Sequence, residues 1–106
     1  MRIKEVDETG ILFDNGKEII DHHVPSCCED NYADFKQIEE QAFSVDFDEN
    51  LIFESVSGGF RFGSVGTHMF FIPCYSEQNG YYSSEIDIHY DGKCVLNTDC
   101  EEINTD

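Results

Sequence analysis

Glycine-bearing turn signals divide this chain into short pieces, and that punctuation constrains its fold more than any other feature. Asn15-Gly16, Ser57-Gly58-Gly59, Asn79-Gly80 and Asp91-Gly92 each separate short apolar runs. Asn, Asp and Gly tolerate the positive φ angles of the tight turns that join antiparallel strands. The runs between them include Ile11-Leu12-Phe13, Ile19-Ile20, LIFESV at 51–56, FRFGSV at 60–65 and THMFFIPCYS at 67–76. They have the length and composition of strands. Over 85–90, Ile86, Ile88 and Tyr90 alternate with Glu85, Asp87 and His89, the pattern of a strand with one buried face. The chain reads as about eight strands, mainly antiparallel, in a curved sheet or a sandwich.

One segment breaks the period of two. Tyr32, Phe35, Ile38, Ala42 and Phe43 recur at helical spacing, with Glu39 the one polar residue among them. Asn31 is placed to cap a helix, and Asp34 three residues later completes a pattern resembling a capping box. The spacing predicts one α-helix near residues 31–43, packed on a face of the sheet, and hence an α+β fold class. The tail EEINTD at 101–106 is expected to fray.

The chain has 106 residues, the size of a single domain spanning 1–106. Its 23 acidic and 6 basic residues leave a net charge of −17. A chain this acidic lacks the basic stripe that direct nucleic-acid binding requires, and an anionic membrane surface repels it. A basic protein or a multivalent cation is the expected partner, and a carboxylate array can also imitate the phosphates of nucleic acid. The start, MRIKEVDETG, has no apolar signal region, and no run approaches the roughly 18 apolar residues of a membrane span. A cytoplasmic location follows as the expectation, with the five cysteines as reduced thiols.

The most reactive-looking stretch is DHHVPSCCEDNYADF at 21–35. His22, His23, Cys27 and Cys28 offer imidazole and thiolate ligands of the kind zinc takes. No C-x-x-C or H-x-x-x-H spacing supports them, so a packed junction without a cofactor competes with the zinc site and is favoured. Strand alternation puts His22 inward with Ile20 and Val24, and His23 outward with Asp21. Cys28 precedes the expected helix, where a dipole favours thiolate, yet Glu29 and Asp30 oppose it. Asp46-x-Asp48-x-Asn50 imitates a calcium loop but has Leu51 and Ser57 where glycine and glutamate belong, which excludes an EF-hand. Gly58 to Gly63 matches no phosphate-binding loop. Within it Arg61, one of two arginines, is expected to pair with a carboxylate or, less readily, to hold an anionic ligand. The hairpin CYSEQNGYYSS collects Tyr75, Gln78, Asn79, Tyr81 and Tyr82, a composition favoured at recognition surfaces. With Arg61 they form the candidate binding set.

HHVPSCCEDNYADF at 22–35, FRFG at 60–63 and FFIPCYSEQNGYYSSEIDIHY at 70–90 together resemble a small family of uncharacterised bacterial and phage-borne proteins, best represented in gut Bacteroides-type organisms. The resemblance covers most of the chain. It implies a cytosolic setting and a bacterial or mobile-element origin, and it assigns no activity or cofactor. The expected function is a non-enzymatic binding module, an inhibitor of a basic protein partner in one version. The alternative is a metal- or thiol-dependent site on His22, His23, Cys27 and Cys28.

Overall fold

A computed structural model describes residues 1–23, 30–78 and 83–104. Among them the strands are, in chain order, β1 (Ile3–Val6), β2 (Gly10–Phe13), β3 (Glu18–His22), β4 (Asp30–Ala33), β5 (Ile52–Val56), β6 (Gly59–Gly63), β7 (Phe70–Gln78), β8 (Glu85–Tyr90), β9 (Lys93–Asp99) and β10 (Glu101–Asn104). They build two five-stranded sheets. The first runs β1-β2-β3-β8-β9, with every neighbouring pair antiparallel. The second runs β10-β7-β6-β5, and β4 pairs with β7 as well. β4 and β10 share the stretch Tyr75–Glu77 of β7 and so flank it on opposite edges.

The turn signals do what their chemistry predicts. Gly16 takes φ 87° between β2 and β3, and the amide of Phe13 donates to Lys17 O at 2.9 Å. Gly58 takes φ 80° between β5 and β6, and Asp91 and Gly92 take 52° and 79° between β8 and β9. Asn79-Gly80 lies outside the described residues. Alternation along each strand then sends one row of side chains inward. Ile11, Phe13, Ile19, Ile86 and Ile88 of the first sheet join Phe60, Phe62, Phe70, Ile72 and Cys74 of the second in one apolar cluster. Phe47, from the connection between β4 and β5, wedges among Phe13, Phe62 and Phe70 with ring centroids 5.7–5.8 Å apart.

The mainly antiparallel β architecture is the expected one; the α component is not. Residues 31–43 form β4 and then 3₁₀ turns at Phe35–Gln37 and Glu40–Ser44. The amides of Ile38 and Ala42 donate to Phe35 O and Glu39 O, three residues back. Ile38 and Glu39 are extended between the two turns, with ψ near 140°. Two single turns present Phe35, Ile38 and Ala42 to the core as well as a helix would, because the same spacing fits both. The backbone of 30–33 meanwhile gains a full ladder with β7. Asn31 is accordingly no cap but a buried residue of β4.

The tail also departs from expectation. Glu101–Asn104 does not fray but pairs parallel to β7, anchored by buried Cys100, whose amide donates to Ser84 O at 2.7 Å.

Polar bridges tie the sheets together beside the apolar core. Thr98 Oγ1 of β9 donates to Gly59 O of β6 at 2.6 Å and lies 2.7 Å from Ser55 Oγ of β5. The amide of Ala33 donates to Asp21 Oδ2 at 2.8 Å. Asn31 Nδ2 donates to Ser83 O and Glu85 O at 2.9 and 3.1 Å, and Asn31 Oδ1 accepts from Ser76 Oγ. Among the described residues no helix is long and apolar enough to cross a membrane.

Candidate functional site

The outward face of the second sheet gathers part of the expected binding set. Period-two alternation in FRF and in FFIPCYSEQ turns Arg61, Phe71, Tyr75 and Glu77 out as Phe60, Phe62, Ile72, Cys74 and Ser76 turn in. Register aligns Glu54, Arg61 and Phe71 in one row across β5, β6 and β7. Arg61 meets Glu54 Oε2 with Nε at 2.8 Å and a terminal guanidinium nitrogen at 2.7 Å. That geometry is the carboxylate pairing expected of it. Phe71 stays 40% exposed beside this pair.

Four residues along β7, about 13 Å at strand rise, Tyr75 faces Tyr32 of β4 with ring centroids 5.9 Å apart. Gln37 Nε2 donates to Tyr75 Oη at 3.2 Å, and Tyr32 Oη donates to Glu77 Oε1 at 3.1 Å. Burial, with the Glu77 bond second, pushes the Tyr32 phenol up to about 12, so it remains a protonated donor. Asp30 and Glu101 stand exposed on the two strands that flank this stretch of β7, and exposed Glu54 lies in the row of Phe71. The result is a set of partly fixed aromatic groups with a carboxylate rim.

Gln78 does not belong to that face. It points inward and is buried, with Nε2 2.6 Å from Ser76 Oγ and 3.3 Å from Ser83 O. Its role is to extend the Asn31–Ser76 bridge between the sheets. Asn79, Tyr81 and Tyr82 lie outside the described residues. Phe71 and Tyr32 were missing from the expected set. Phe71 was legible as an outward residue from alternation alone, whereas Tyr32 was hidden by the helical reading of its segment.

The histidines and cysteines fall differently from their expected arrangement. His22 is exposed and His23 half-buried, because β3 turns Ile19 and Asp21 inward and not Ile20 and His22. Asp21 occupies the inward place, and burial raises its carboxyl above the ordinary value despite the Ala33 amide that bonds it. Cys27 and Cys28 lie outside the described residues. Cys74, a further thiol, is buried in the core. Its hydrogen bond with Cys100 and then its burial push the thiol strongly upward, which makes it a poor ligand and nucleophile. His68 packs on the Phe70 ring at 5.0 Å, with Glu39 4.0 Å from its Nε2. The calcium-like loop is used internally: Asp46 holds the ammonium of Met1 at 2.8 Å, and Asp48 Oδ1 accepts the Asn50 amide at 2.8 Å.

His22 does have potential ligands beside it, on the outer face of the first sheet. Asp87 is its direct partner across β3 and β8, and His89 lies one step along β8. Among the described residues these three form a group whose donor atoms lie close enough together to hold a metal ion. Comparison of the chain with protein-family models, with curated proteins and with solved structures finds no match to any of them.

Proposed function

We propose that this protein is a non-enzymatic binding module that docks a basic protein segment on the outer face of its second sheet. The observation that carries this reading is the outward set of exposed Phe71 and half-buried Tyr75 and Tyr32 beside the carboxylates Asp30, Glu54, Glu77 and Glu101. Aromatic rings give an interface its anchors, and carboxylates around them select lysine and arginine. The aliphatic stems of such residues cover rings while their charged ends meet the rim. The net charge of −17 adds long-range attraction for a basic partner and speeds the encounter. Tyr75 and Tyr32 are already held by Gln37 and Glu77, so docking freezes little further side-chain freedom. A cytoplasmic inhibitor carried by a phage or another mobile element fits a small acidic binder and the resemblance to bacterial and phage-borne proteins.

The test is affinity capture from bacterial lysate at low and raised salt, using the wild type and a Phe71→Ser, Tyr75→Ser double variant. The wild type is expected to retain a basic protein at low salt and release it as salt rises. The variant is expected to retain none. Equal retention by the variant, or no basic protein held by the wild type, overturns the reading.

A further inference from the structure

We infer that His22, Asp87 and His89 form a binding site for a single divalent late transition ion of the zinc type, built on the face opposite the proposed docking surface. The site goes beyond the binding module and depends on none of its residues. Strand pairing creates it. His22 stands directly across from Asp87, Ile20 from His89, and Asp87 from Asn97 on the third strand. All of these side chains but Ile20 are polar, and all share the outward face of the first sheet. One donor atom from each of His22, Asp87 and His89 lies within 4.8 Å of the others. Two ligands of one tetrahedral zinc ion sit about 3.4 Å apart, from bond lengths of roughly 2.0–2.2 Å. Side-chain rotation of about an ångström, on an exposed His22, closes that difference.

Three features beyond proximity point to an ion. The imidazoles of His22 and His89 stack with centroids 5.2 Å apart and planes 28° from parallel, so the two rings are already held side by side next to Asp87. Asn97 Nδ2 donates to Asp87 Oδ1 at 3.0 Å, the kind of outer hydrogen bond that orients a metal-binding carboxylate. An open cleft lined by His22, His23, Ser83, Glu85, Asp87 and Asn97 gives the ion a way in. Two imidazoles with one carboxylate suit zinc, copper and nickel, whereas magnesium and calcium prefer oxygen ligands alone. The surrounding net charge of −17 raises the local concentration of any cation. Three protein ligands leave a coordination position for water or for a donor from another molecule. The zinc site weighed as the alternative in the sequence shares His22 with this group, whose other two ligands come from β8.

Zinc chloride titrated into the full chain, purified without a histidine tag and stripped with chelator, tests the inference through calorimetry. One zinc per chain is expected, with no comparable heat from magnesium. Asn97→Ala is expected to weaken binding roughly 10-fold, in the range typical for outer hydrogen-bond partners. His22→Ala and His89→Ala weaken it further, and a Cys27→Ser, Cys28→Ser double variant leaves it unchanged. Cobalt(II) gives an independent reading on the wild type: its spectrum should lack the charge-transfer band of a thiolate ligand. Imidazole resonances of His22 and His89 should shift together and saturate at one equivalent of zinc. The inference is overturned by the absence of binding, by affinity unchanged in His22→Ala and His89→Ala, or by a thiolate band with cobalt.

Discussion

Asn31 shows how much a single polar side chain carries in this fold. Its amide nitrogen serves two carbonyls at the start of β8, and its amide oxygen accepts from Ser76, which in turn accepts from Gln78. All three side chains are buried. Asn31→Ala therefore takes the buried Ser76 hydroxyl's acceptor away and removes one donor from each of the Ser83 and Glu85 carbonyls. A loss of about 1–3 kcal/mol is expected from unsatisfied buried groups, measured by denaturant unfolding. A loss below a few tenths would show that the bridge is structurally idle. Asp21 makes the opposite case. Its half-buried carboxyl titrates above the ordinary value of 3.8, so the folded chain holds a proton that the unfolded chain has already released. Stability from this group is present at acid pH and declines as pH rises through that window. Asp21→Asn keeps an oxygen for the Ala33 amide and removes the charge. It is expected to raise the Tm at neutral pH and to flatten the fall in stability above pH 3.8, read from thermal melts across pH.

At the level of elements, what was legible in the sequence and what was not separate along a physical line. Local turn chemistry was legible, because Gly16, Gly58 and Asp91-Gly92 need conformations that few other residues adopt. Alternation in β8 was equally clear, since burial of Ile86, Ile88 and Tyr90 writes a period of two into the sequence. The segment 31–43 was misread because a spacing of three to four residues fits a helix and a pair of 3₁₀ turns alike. The choice between them is made by the edge of β7, which offers hydrogen bonds to 30–33 and is remote in sequence. Distance in sequence also hid the partners of His22, for Asp87 and His89 approach it through the pairing of β3 with β8. The inward or outward sense of His22 failed for a related reason: Ile19 and Ile20 are both apolar, and alternation cannot tell which faces the core. Phe47 lies outside any strand yet fills the centre of the cluster. Phe47→Ala is expected to cost about 3–5 kcal/mol, the usual loss for a buried phenylalanine. Far-ultraviolet circular dichroism during unfolding reads it, and a cost under about 1 kcal/mol would mean that the core closes over the gap.

The whole molecule combines a shared core with two unlike outer faces. Its core is continuous between the sheets, and at its centre Phe47 touches the rings of Phe13, Phe62 and Phe70, with Phe62 also against Phe70. The outer face of the second sheet is aromatic with a carboxylate rim, and that of the first carries the His22, Asp87 and His89 group. A net charge of −17 works against compactness, so added salt is expected to raise the Tm by screening repulsion at neutral pH. The same charge favours a basic partner, and the two effects of salt on stability and on binding should then run in opposite directions. The most direct test of the docking face places a photocrosslinking amino acid at Phe71, exposed on the second sheet, or at Val95, exposed on the first. Irradiation in bacterial lysate at low salt is predicted to give an adduct with a basic protein from position 71 and none from position 95. Adducts from position 95 alone, or from neither, would contradict the account.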